Sequence, residues 1–198
     1  MTGRIGRALR VGVKSAKISA VAPAVDRERV KAWIVEAFSG LERPGNWALR
    51  GSSEGEEPAL VEQAFADKDD WRTIDPDFLD KAPDGFASAL SFFSDEAFRY
   101  FLPAYLVADL DDRLELVDPV FHLTHGLEDD MRQKPINPRR FGDRTWLDAL
   151  RFRFSVFTAV EAKAILTYLE FRAQGDEFDR ERISQAIAHY WGTRVAHR

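Results

Sequence analysis

Thr158-Ala-Val-Glu-Ala-Lys-Ala-Ile-Leu-Thr-Tyr-Leu-Glu-Phe-Arg-Ala-Gln-Gly175 is the stretch that decides the fold. Thr158 followed three residues later by Glu161 is a capping box, in which each side chain satisfies the other's backbone N–H at a helix start. Gly175 supplies the stop. Between them, Val160, Ala164, Tyr168 and Phe171 fall on one side of a 3.6-residue period. Ala162, Ile165, Leu166, Leu169 and Ala173 fall across the other. A helix that is apolar on both sides is covered on both sides. The spacing therefore predicts a central helix from Ala159 to Ala173 with the remaining helices packed around it.

The flanking sequence supplies those helices. Asp179 caps a last one with Ile183, Ile187, Tyr190 and Trp191 inward. Upstream, a helix from about Thr145 carries Trp146, Leu147, Leu150 and Phe154, although Phe152 to Val156 also alternates like a strand and leaves its own type open. Asp118-Pro119 and Asp75-Pro76 each join a capping carboxylate to a proline suited to a first helical position, and Pro58 serves in the same way. Ser94 caps a helix from Ala97 to about Leu110, with Asp95 and Glu96 in its first turn where the dipole favours acids. Asp26 opens a helix whose stripe is Val30, Trp33, Ile34, Ala37, Phe38 and Leu41. Pro83-Asp84-Gly85 reads as a turn, and Gly126 to Arg140 as a long polar loop with two prolines. The fold class expected is all-α: one irregular domain of about seven helices over residues 26–198, after a basic leader at residues 1–25.

Composition bounds the function. The chain has 198 residues, 45% hydrophobic and 12% aromatic, which supplies a real core. It has no cysteine, which excludes a disulfide scaffold, thiolate metal sites and a cysteine nucleophile and suits a reducing compartment, the cytoplasm. No apolar run approaches a membrane span, and no secretory signal follows the early basic residues. Arg4, Arg7, Arg10, Lys14 and Lys17 make the first 24 residues basic with no acid. Ser52 to Glu96 holds thirteen acids against Lys68, Arg72 and Lys81. An acidic body argues against nucleic acid as a partner, because phosphate contacts need a basic face. The leader reads as a flexible tail, with a weak membrane-surface or nucleic-acid arm, or docking onto the acidic body, as alternatives.

The densest feature is Leu90-Ser-Phe-Phe-Ser-Asp-Glu-Ala-Phe-Arg-Tyr-Phe-Leu-Pro-Ala-Tyr-Leu106. Pro103 inside this helix frees the Arg99 carbonyl and predicts a kink. Arg99, Tyr100 and Tyr105 are the candidates to recognise a carboxylate or an aromatic group in a groove there. The competing reading is a core helix whose tyrosines find internal partners, and it carries the greater weight because aromatic stripes at helical spacing are usually core. Arg139 and Arg140, beside Phe141, are candidates for an anion or partner contact against the plainer reading of a solvated turn. His122 and His125, followed by Glu128, Asp129 and Asp130, have a spacing that can share a metal. Gly126 breaks the helix after them and no HExxH arrangement exists, so no metal site is assigned. Asp109, Asp111, Asp112 and Asp118 lack the glycine of a calcium loop. No phosphate-binding glycine loop and no GxSxG elbow occurs, so no catalytic residue and no cofactor is assigned.

The Leu90–Leu106 segment, above all Ala97 to Leu106 (AFRYFLPAYL), together with Trp47 and the Thr158–Leu169 helix, resembles a bacterial family catalogued as a domain of unknown function, number 6714. The resemblance spans Asp26 to Trp191 and leaves the leader outside. It implies a bacterial intracellular protein and supplies neither an activity nor catalytic residues. The function expected from the residues is a non-enzymatic module that binds another protein through an acidic, aromatic-rimmed surface. The alternatives are a small-molecule-binding helical domain with its pocket beside Pro103, and a motif-less hydrolase using scattered carboxylates. Nothing in the sequence sets the oligomeric state.

Overall fold

The computed structural model describes residues 26–83, 89–175 and 177–196; the leader and the Asp84-Gly85 part of the predicted turn lie outside them. In chain order the α-helices are α1 (Arg27–Ala37), α2 (Glu57–Phe65), α3 (Pro76–Lys81), α4 (Ala89–Phe92), α5 (Asp95–Leu110), α6 (Pro119–Thr124), α7 (Pro138–Phe141), α8 (Trp146–Phe154), α9 (Ala159–Gly175), α10 (Arg180–Ala186) and α11 (Gly192–Ala196). No strand forms among the described residues; extended pairing is confined to the isolated bridges Arg50–Phe93 and Pro135–Thr145. The architecture is all-α, as the periodicity predicts.

Short local signals set the helix starts. Ser94 Oγ accepts the Ala97 N–H at 3.0 Å, and an Asp75 oxygen accepts the Asp77 N–H at 3.0 Å. Thr158 and Glu161 close the expected capping box at α9, and Thr145 and Asp148 close a second at α8. That second box commits Phe152 to Phe154 to a helix and removes the strand reading. Asp26 and Asp118 stand at helix starts without capping them through their side chains; Asp118 instead meets Arg182 at 3.1 Å. The loop after Gly126 contains one helical turn, α7, opened by Pro138 and by the Asn137 side chain, which accepts the Arg140 N–H.

Two helices organise the packing. Around α9 lie α1, α10, α11 and the π-helical turn Ile187–Trp191; around α5 lie α1, α3, α6 and the 3-10 turn Trp71–Thr73. α5 sits between two groups of rings. On one side Phe65 meets Phe93 and Phe101 edge to face, with centroids 4.8 and 4.9 Å away. On the other, Phe98 meets Phe154 and Phe157, and those rings meet Trp191. α5 continues through Pro103. An internal proline costs roughly 3 kcal/mol. Burying Phe98, Phe101, Leu102 and Leu106 at about 1.5–3 kcal/mol each outweighs it.

Side chains pin α5 to α9 at both ends. The Arg99 guanidinium straddles Glu161 with contacts of 2.9 and 2.7 Å, and the Tyr168 hydroxyl donates to Asp109 at 2.6 Å. Burial pushes the Asp109 carboxyl above its ordinary range. Elsewhere one oxygen of Asp80 accepts the N–H groups of Glu115, Leu116 and Val117, tying α3 to the strap after α5. Gly126 holds φ at +87°, and a Cβ there would lie 2.6 Å from the Trp146 ring. The chain therefore turns tightly into the loop only with glycine at this position.

One residue of α9 departs from the two-sided burial expected of it. Ala162, Ile165, Leu166, Tyr168 and Leu169 are buried, but Val160, assigned by its spacing to a covered face, is 63% exposed. No helix of the described residues is long and apolar enough to cross a membrane.

Candidate binding groove

The residues picked from the sequence are largely engaged inside the fold. Arg99 lies beside Tyr100 on a shallow depression of about 280 Å³, and the Nε–Nη2 edge of its guanidinium donates to Glu161. That carboxylate also accepts the Thr158 N–H at 2.8 Å, so the ion pair completes the start of α9. The Tyr100 hydroxyl donates to the Asp69 carbonyl at 2.6 Å. Tyr105 is fully buried and its hydroxyl finds no partner among the described residues; burial drives its pKa far up, so it stays a neutral phenol. Of the three, Arg99 and Tyr100 line the depression and Tyr105 is shut inside the core. Arg139 is exposed. Arg140 pairs with Glu54 at 2.6 Å and lies over the Phe141 ring.

The two histidines do not converge on a metal. His125 stacks on Phe121 with centroids 4.6 Å apart and meets the edge of Trp146. His122 is held down at about 4, first by burial and then by the nearby charge of Arg153, so it is neutral in the folded protein. Among the described residues no three His, Asp or Glu side chains are grouped to hold a metal ion. The His122 shift has a definite sign. A folded pKa below the unfolded 6.5 gives stability that is complete above about 6.5 and is lost as pH falls through about 4. Thermal unfolding across pH 7 to 4 is expected to show a loss on the order of 2 kcal/mol that a His122→Gln variant lacks. Equal slopes for the two proteins would show that His122 is not the group responsible.

The concavity that sequence reasoning missed lies where α1, α9 and α11 meet. It measures about 470 Å³ and has an apolar lining. Ala37, Ala159 and Ala164 form part of its lining, with Trp33, Val160 and Val195. Glu36, Lys163 and Arg194 supply its charges. The Arg29 guanidinium covers one face of Trp33 at 4.7 Å. Arg194 donates through Nη2 to the Phe157 carbonyl, while its Nε is closed off from solvent and meets no acceptor among the described residues. Lys163 is exposed and forms no ion pair among the described residues. One signal was available: Lys163 is the lone charge between Glu161 and Glu170, in a run otherwise fit for burial. Nothing local marked Trp33 or Arg194, because their meeting depends on α1 and the C-terminal helix reaching the same side of α9.

What the fold and groove define is an all-α domain with an open, apolar, cation-bearing seat on its central helix. Residues 26–195 match the model of a family of unknown function (DUF6714), and the chain belongs to that family. No curated protein and no solved structure matches it.

Proposed function

We propose that this protein is a non-catalytic interaction module that takes a partner protein in the α1–α9–α11 groove. The observation that carries the reading is Val160: a β-branched apolar side chain left 63% exposed in the first turn of a helix whose next residues are covered. Single exposed apolar side chains are ordinary; this one continues the apolar lining of a charge-rimmed groove, which is what favours a binding role for it. The lining beside it is apolar as well. A volume of about 470 Å³ also falls in the range of small-molecule sites; the uncovered Val160 favours an occupant with an apolar face of its own. The surface differs from the acidic, aromatic-rimmed one expected from composition: Trp33 supplies the aromatic wall, but two of the three charged groups are cations. Residues 26–198 are read as one domain of a cytoplasmic protein, a compartment that suits a chain with no cysteine.

The test is site-specific photocrosslinking in the native cell, with the reactive side chain at position 160 or at position 152. Phe152 is 65% exposed on α8, so it matches Val160 in exposure without lining the groove. The expected result is one dominant protein adduct at 160 that is missing at 152. Identical adducts at both positions, or none at 160, overturn the reading.

A further inference from the structure

We infer that the groove selects an amphipathic helix whose apolar face is flanked by acidic residues. This rests on the groove being the binding face. Two observations point to a helix. The seat is formed by three helices, and its lining includes the small residues Ala37, Ala159 and Ala164. A lining of that kind lets a fourth helix pack at the usual interaxial distance of about 8–10 Å, and laying an apolar helix face into such a groove is a recurrent recognition mode. Trp33 and Val160 stand as the larger side chains available to interdigitate with it.

The charge of the occupant follows from the rim. Lys163, exposed and without a carboxylate partner among the described residues, and the guanidinium charge of Arg194 set two cations against the single acid Glu36. Acidic side chains on a docked helix would supply the carboxylate that Lys163 lacks. The chain's own leader is a poor occupant on the same ground: it brings five cations and no acid through residue 24. On a protein whose formal net charge is −5, two cations against one acid make the rim complementary to an acidic occupant.

The experiment uses the full chain and two designed 18-residue helical peptides with one identical leucine-alanine face. One peptide carries glutamate on both flanks and the other lysine. Fluorescence anisotropy is expected to show the glutamate peptide binding about fivefold to tenfold tighter at low salt, with the difference shrinking in 0.5 M NaCl. Lys163→Glu should cancel or reverse that preference, and Val160→Asp should weaken both peptides. Lys163 is exposed, so its variant keeps the test readable if Val160→Asp disturbs folding. Equal affinities, or tighter binding of the lysine peptide, overturn the charge selection. Failure of both peptides to bind overturns the helical occupant, while the crosslink at position 160 reports separately on the groove itself.

Discussion

Replacing Trp191 by alanine is expected to lower the unfolding free energy by about 4 kcal/mol, the middle of the range for removal of a large core aromatic. Trp191 has no exposed surface, and its ring lies 4.9 Å from Phe154, 5.0 Å from Tyr190 and 6.0 Å from Phe157. Its indole N–H donates at 2.8 Å to the Leu123 carbonyl in α6. Alanine therefore opens a large void and orphans a buried acceptor together. Trp191→Phe separates the two contributions: it keeps most of the packing and loses the bond, at about 1–2 kcal/mol. Urea unfolding of both variants measures the difference. If the phenylalanine variant is as damaged as the alanine variant, the hydrogen bond rather than the ring volume is the larger part. Against total stabilities of about 5–15 kcal/mol for domains of this kind, that loss is a large share of what holds the fold.

Breaking the Arg99–Glu161 pair comes second, at about 3 kcal/mol for Arg99→Ala. The Glu161 side chain is 3% exposed and the Arg99 side chain 30%, so the two partners are not equivalent. Without the arginine, a carboxylate stays buried with the Thr158 N–H as its remaining donor. Without the glutamate, the arginine can turn toward water, but α9 loses half of its capping box. The pair therefore couples an ion pair to a helix start. A double-mutant cycle with Glu161→Ala is expected to show about 2 kcal/mol of coupling. Additive effects would mean that the contact does not join α5 to α9 energetically.

How much of this was legible in the chain depends on how local each cause is. The capping box at Thr158, the Ser94 cap and the Asp75-Pro76 start each rest on side chains within three residues, and all mark real helix starts; Asp118-Pro119 marks one through its proline alone. α7 was hidden inside a polar loop because its Asn137 cap serves one turn only. The π-helical turn Ile187–Trp191 was not readable from periodicity. It places the Ile187 carbonyl so near Gly192 that a Cβ there would sit 2.8 Å away, a closeness that the apolar spacing does not encode. The partner of Arg99 lies 62 residues away, so the sequence offered the arginine as a ligand group when the fold had already used it. Val160 misled for the opposite reason. Periodicity assigns a residue to a face, but whether that face is covered depends on the reach of α1 and α11, and the cover stops short of it.

The uncovered face of α9 is checked by comparing adducts from a photoreactive side chain at position 160 with those from one at position 152, where Phe152 is equally exposed. If the face binds a partner, a single protein is captured at 160 alone. The same products from both positions, or nothing at 160, would mean that it does not.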